Sequence, residues 1–349
     1  MLEIKKNNTE NSVGMAHPTR LLMMLGLWLF VLSVGVLADG LQVMTSSNGD
    51  LTVDNGKWQY TFRSKDNLLT SIAKSKGGPS VLADIPGGGG HWIYVTGSGR
   101  GNDPKRLYRQ GDEKVIASHE ILSVDNKKAV IRFVTTLNAL RIEDVLTFDA
   151  QTGFVTQTFE VKAVKTIPNL TLLSWQAKLG TGGGQAEPFD WFLWGSGAEC
   201  IVRDEDKLKT DGTLQKPGVK VDIQNAKTST YWLRPKSMDE KFIAMLSRKQ
   251  DQFWMLAFPN KDNSPWYFLG DRGTPFNYST WFGFRVFGDT IYAETMPAFA
   301  IEAGTQWTGT VCHILGTGQT SPELTQIYNN WQKNEIPIET LSEGLQNSP

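Results

Sequence analysis

Four basic side chains, Arg100, Lys105, Arg106 and Arg109, cluster in the stretch GGGGHWIYVTGSGRGNDPKRLYR (Gly87–Arg109), which also carries His91 and Tyr108. Asp103 is the one acid among them before Asp112. These residue types fit β-elimination from a uronic acid. That reaction needs a cation to neutralise the sugar carboxylate, a base to take the C5 proton and an acid to protonate the leaving oxygen. Arg100, Arg106 or Arg109 would supply the first, since guanidinium binds carboxylate in a bidentate fashion. His91 or Tyr108 would move the protons. The plainer alternative is a long basic loop turned to solvent. The GSGRG run (Gly97–Gly101) lacks the G-x-G-x-x-G spacing and the following helix of a dinucleotide loop.

Two further stretches combine aromatic rings with polar side chains, the composition of a sugar subsite. In EPFDWFLWGSGAE (Glu187–Glu199) these are Trp191 and Trp194. In SPWYFLGDRGTPFNYSTWFGFR (Ser264–Arg285) they are Trp266, Tyr267, Asp271, Arg272, Tyr278 and Trp281, beside Gly and Pro turns. A glycosidase would instead need two carboxylates at a set separation, with Asp190, Glu199, Asp271 and Glu294 available. His119 and His313 lie within strand-like runs and read as structural. Two cysteines, Cys200 and Cys312, cannot make a zinc site alone, and their pairing is open. The acidic RDEDKLKTDG (Arg203–Gly212) lacks the glycine position of a calcium loop and reads as a solvated hairpin. No cofactor and no metal are expected.

The elements that must position these residues are mainly strands. WQYTFR alternates Trp58, Tyr60 and Phe62 on one face. Apolar runs before and after DNKK, and before and after DAQTG with Gly153 in the turn, read as two hairpins. Helical spacing arises only in SPELTQIYNNWQK (Ser321–Lys333), where Leu324, Ile327, Tyr328 and Trp331 recur at three- and four-residue steps. Ser321 is read as its cap and Pro322 as its first helical residue. The expected fold is all-β, a large two-sheet antiparallel β-sandwich with a short C-terminal helix. The expected division is 1–38 a signal peptide, 39–320 the sandwich and 321–349 the helix and tail. LLMMLGLWLFVLSVGVLA (Leu21–Ala38) follows a basic flank and ends in small residues suited to cleavage. The mature chain is therefore expected to be secreted or periplasmic, with no membrane association after cleavage. A formal net charge of −1 gives the whole molecule no strong attraction to nucleic acid, so recognition must come from a local patch.

LTVDNGKWQYTFRSKDNLLTSIAKSKG (Leu51–Gly77), the SHEILSVDNKKAVIRFVTTL hairpin and the closing MPAFAIEAGTQWTGTVCHIL (Met296–Leu315) together resemble the galactose-mutarotase-like supersandwich superfamily. The resemblance spans roughly Leu41 to Gly316. It implies carbohydrate work, since sugar epimerases, polysaccharide lyases and glycosidase-attached sandwiches share this fold. The histidine motif of the mutarotases is not found. The expected function is a polysaccharide lyase acting on an acidic glycan. The alternatives are a non-catalytic carbohydrate-binding protein using the tryptophans and a glycoside hydrolase using the carboxylates. The expected partner is a polysaccharide or oligosaccharide.

Overall fold

The computed structural model describes residues 40–83, 88–111, 115–180, 189–204, 209–211, 216–223, 229–235, 240–247, 249, 251–259, 282–287, 290–295 and 299–334. The apolar segment Leu21–Ala38 lies outside them, as do Trp266, Tyr267, Asp271, Arg272, Tyr278 and Trp281. Among the described residues no helix is long and apolar enough to cross a membrane.

Among the described residues the strands form two antiparallel sheets, one of 13 strands and one of 9. The larger begins with Gln42–Thr45, Leu51–Asp54, Trp58–Arg63 and Leu68–Lys74 as sequential neighbours. It continues through Gly89–Thr96 and Ile167–Lys178 to Thr290–Thr295, Phe282–Phe287, Ser229–Pro235 and Ala198–Asp204. The smaller runs from Val221–Asp222 through Trp191–Trp194, Phe242–Ser247, Gln252–Ala257 and Gln306–Gly316. It then passes through Val155–Ala163, Leu140–Asp149 and Lys128–Leu137 to the edge strand Ile116–Val124.

Alternating side chains explain why the sheets meet face to face. In Trp58–Arg63 every second residue is buried, and Lys128–Leu137 repeats the pattern over ten residues. Rings cross the seam: Tyr60 meets Phe148 at 5.3 Å, Phe62 meets Phe133 at 4.6 Å and Trp92 meets Phe159 at 4.9 Å. Such pairs add roughly 0.5–1.5 kcal/mol each beyond the area they bury. The turn in DAQTG closes as expected, with Gly153 at φ 80°, in the left-handed region where glycine carries no Cβ penalty.

Phe242–Ser247 and Gln252–Ala257 depart from alternation, because all their residues are buried. One face packs into the seam. The other is covered by the helix Ser321–Asn334, whose Leu324, Tyr328 and Trp331 join Leu193, Phe242, Ala244, Phe253 and Cys312 in a second core. Strands buried on both faces read as continuous apolar runs. The helix cap differs from the expected one. Thr320 rather than Ser321 caps it: Glu323 accepts hydrogen bonds from the Thr320 backbone amide (2.9 Å) and hydroxyl (2.8 Å), and from the Gln319 amide (2.9 Å). A carboxylate directly after Pro322 returns to the cap from the third helical position only if the helix begins at Ser321. Cys200 sits in the larger sheet, and Cys312 lies under the helix in the smaller. Both are buried free thiols, and burial pushes the Cys200 pKa up to about 12.

Trp331→Ala should cost about 3–5 kcal/mol of unfolding free energy, as for other buried tryptophans cut to alanine, whereas Glu323→Ala, which loosens only the exposed cap, should cost much less. Denaturant unfolding of both variants checks this, and equal losses would contradict the role given to the helix.

Candidate functional site

The stretch from Gly89 to Arg109 folds as a hairpin rather than a long loop. Gly89–Thr96 pairs with Arg106–Arg109, setting Ile93 opposite Arg109 and Tyr94 opposite Tyr108. The intervening tip is ordered by Asp103. Its carboxylate accepts from the Ser98 amide (2.7 Å) and from the Asn169 side chain (3.3 Å), while its backbone bonds Gly99 and Arg100. These bonds hold the Asp103 pKa below the usual carboxylate range. Gly97 takes φ 87° and leaves no space for a Cβ against the Pro104 carbonyl, so the tight turn requires glycine. With Asp103 occupied, Arg100, Lys105 and Arg106 stand exposed and make no ion pair among the described residues.

The other end of the hairpin is bolted down. The Gln110 side chain accepts from the Trp92 amide (2.8 Å) and donates to the Asp66 carbonyl (2.8 Å). Asp66 in turn holds Arg63 through two bonds of 2.9 and 2.6 Å.

Strand alternation divides the expected catalytic residues. Trp92 and Tyr94 face the seam, and Tyr108 stacks on Tyr94 at 4.6 Å with an interplanar angle of 13°. His91, two residues from Ile93, faces the opposite side with Arg109. His91 and Tyr108 are thus on opposite sides of the sheet and cannot serve one sugar as base and acid. His91 is fully buried. Its Nε2 lies 2.8 Å from the Gln176 amide nitrogen, which can only donate, so the neutral ring carries its proton on Nδ1. Burial first, and the Arg109 guanidinium second, hold its pKa down at about 4.

The His91 row continues across the larger sheet. Gln176 stands opposite His91, Tyr292 opposite Gln176, Arg285 opposite Tyr292 and Trp232 opposite Arg285. Sequence reasoning missed Gln176, Tyr292 and Arg285 because they are about 85 to 200 residues from His91 along the chain and meet only through register. Of the other candidates, Trp194 is buried in the main core beside Phe192, while Trp191 is half-buried against the helix cluster. The carboxylates are dispersed. Asp190 precedes a strand of the smaller sheet, whereas Glu199 and Glu294 belong to strands of the larger sheet with two others between them. Three strand spacings amount to about 14 Å between backbones, beyond the separation of a glycosidase pair.

A second polar constellation lies in the seam, among inward positions that are otherwise apolar. A cavity with room for about two waters is lined by Asn67, Trp92, Gln110, Asp144, Gln157 and His313, among others. Asp144 accepts from the Trp92 indole (2.9 Å) and from Gln157 Nε2 (2.7 Å), and His313 Nε2 donates to Gln157 Oε1 (2.9 Å). His313 packs edge-on to Trp175 at 4.8 Å, and burial drives its pKa down to about 3. Desolvation pushes the Asp144 carboxyl up to about 7 against the pull of its bonds from Gln157 and Trp92. The available signal was a charged residue at an inward position: Leu140, Ile142, Asp144, Leu146 and Phe148 share one buried face. His119 is half-buried near Phe133 at 6.1 Å, a structural position. Among the described residues no group of acidic, histidine or cysteine side chains is arranged to hold a metal ion.

The fold and these positions define a large antiparallel two-sheet β-sandwich with a cationic hairpin on its larger sheet. No family model matches the chain, and no curated protein matches it. Solved structures similar to it include a galactose mutarotase-like protein from Lactobacillus casei, at 11% identity over 77% of this chain and 100% of that one, TM-score 0.47. Others are a galactose mutarotase related enzyme from Lactobacillus acidophilus (9% identity, 78% and 98% covered, TM-score 0.45) and a GalM/aldose epimerase homologue from C. elegans (9%, 81% and 100%, TM-score 0.45).

The titrations of the buried groups have opposite signs. For His313 and His91 the unfolded chain binds the proton first, so their stabilisation is complete above the ordinary 6.5 and is lost as pH falls toward about 3 and about 4. For Asp144 the folded chain retains the proton, so its contribution declines as pH rises from about 3.8 to about 7. Asp144→Asn should therefore gain stability relative to the native sequence as pH rises over that interval. Thermal unfolding at several pH values tests this, and a pH-independent difference would count against a protonated Asp144.

Proposed function

We propose that this chain is an exported carbohydrate-acting protein that recognises an acidic glycan through the Gly89–Arg109 hairpin. One observation carries the reading. Arg100, Lys105 and Arg106 stand exposed with no ion pair among the described residues and outnumber Asp103, whose carboxylate bonds the Ser98 amide and Asn169 instead, so the tip keeps a net positive charge at the surface. On a molecule of net charge −1, that patch is where a polyanion would be drawn. Guanidinium groups favour carboxylate or sulfate, which a uronic-acid or sulfated glycan repeats along its length. The export signal read in Leu21–Ala38 and the supersandwich resemblance support a polysaccharide outside the cytoplasm as the ligand.

A second reading, β-elimination on that same glycan, rests on the row His91, Gln176, Tyr292 and Arg285 on four adjacent strands. It brings a histidine, a tyrosine and an arginine within a span of about 15 Å between backbones. In it His91, neutral at pH 7, takes the C5 proton, Tyr292 replaces Tyr108 as the acid, and Arg285 or Arg109 neutralises the carboxylate. The His91 lone pair is held by Gln176, so the base engages only when that hydrogen bond opens.

Purified mature chain is incubated with a panel of uronic-acid polysaccharides. New ultraviolet absorbance from an unsaturated sugar supports elimination, and retention on an immobilised acidic polysaccharide without that absorbance supports recognition alone. Neither signal on any acidic glycan overturns both readings. The triple variant Arg100→Ala, Lys105→Ala, Arg106→Ala should elute from the acidic matrix at markedly lower salt than the native chain, with unchanged thermal unfolding. Each lost cation removes a screened charge contact, so equal elution would sink the assignment to the hairpin.

A further inference from the structure

The strand Ile116–Val124 ends the smaller sheet, pairing with Lys128–Leu137 on one side and with no strand on the other among the described residues. Over its nine residues it carries no proline, lysine or arginine, the usual guards of a free edge. It does carry Ile116 (72% exposed), Ile121 (44%) and Leu122 (37%), three of the six large apolar side chains exposed among the described residues. Exposed edge and exposed apolar surface therefore coincide.

The direction of the free backbone groups follows from Asn67. Its side-chain nitrogen donates to the carbonyls of both Ser118 and Val134, at 2.9 and 3.0 Å. These two residues stand opposite each other in the register. One donor reaches both carbonyls only if they lie between the two strands, so Ser118 and Val134 form a hydrogen-bonded pair. By alternation, Ala117, His119 and Ile121 turn their N–H and C=O groups to the open edge.

We propose that this edge pairs with the same strand of a second copy of the chain, antiparallel about a two-fold axis at His119, joining the two smaller sheets into one. A two-fold axis normal to a sheet sets residues of equal parity opposite each other, so the axis must pass through a residue. At Glu120 it would oppose two carboxylates and centre the ladder on groups that point inward. At His119 it sets Ala117 opposite Ile121 and Ser118 opposite Glu120, and the three outward residues of each copy make about six main-chain hydrogen bonds. The apolar Ile116 of each copy then meets Leu122 of the other, at the point where the register shifts by a bulge. Self-complementarity favours a second copy over an unrelated peptide, since each exposed apolar residue finds an apolar partner and no like charges meet.

The test is analytical sedimentation of the full mature chain across a concentration series, together with two kinds of variant. The native chain should double its apparent mass as concentration rises. Ile116→Lys with Ile121→Lys should remain monomeric with unchanged circular dichroism. His119→Cys should give a disulfide-linked dimer on mild oxidation, since a hydrogen-bonded antiparallel pair has its Cα atoms about 5.5 Å apart, while the native Cys200 and Cys312 are buried. A native chain that is monomeric throughout, a folded double-lysine variant that still dimerises, or cross-linking through Glu120→Cys but not through His119→Cys would each overturn the proposal.

Discussion

The bond from the Trp92 indole to Asp144 ties the cationic hairpin to the opposite sheet, and most of the arrangement around the candidate site depends on it. Trp92 lies at a junction. Its ring packs on Phe159 across the seam, and its amide and carbonyl both engage Gln110, which closes the hairpin against the Asp66 turn. By alternation, fixing Trp92 inward fixes His91 outward. The position of the imidazole on the far face of the larger sheet is thus a consequence of a hydrogen bond made on the near face.

Asp144 makes that junction electrostatically unusual. A carboxyl between two aromatic-rich sheets costs several kcal/mol to ionise. The Gln157 and Trp92 donors reduce that cost without abolishing it, which is why the group titrates near neutrality rather than in the usual acid range. His313, two bonds away through Gln157, moves in the opposite sense because its charged form is the cation. Both groups favour their neutral forms for one reason, the dryness of the seam.

The strands were legible because burial on one face writes a period of two into the sequence, as in Trp58, Tyr60 and Phe62. The helix was legible from Leu324, Tyr328 and Trp331 for the analogous reason. Its cap was misplaced by one residue because Thr320 and Ser321 are equally suitable by type, and only the returning Glu323 side chain distinguishes them. The second strand of the hairpin, Arg106–Arg109, was hidden by its charge, since a strand that borders the sheet need not be apolar on either face. The candidate row eluded local reading altogether. Gln176, Tyr292 and Arg285 become neighbours of His91 only through pairings between strands far apart in the chain, and no periodicity records such a pairing. Trp194 shows the converse difficulty: an aromatic beside glycines suggests a sugar platform, yet it lies in the core.

Among the described residues, the helix Ser321–Asn334 gives one half of the smaller sheet a third layer that the other half lacks. The two halves therefore differ in how they depend on chain order. Lys128–Leu137 and Leu140–Asp149 can complete their pairing from segments adjacent in sequence. Phe242–Ser247 and Gln252–Ala257 keep a wholly apolar outer face until a segment more than sixty residues downstream arrives to cover it. During synthesis that face is without its cover for as long as the intervening chain takes to emerge. The domain cannot close its last layer while its end is still being made.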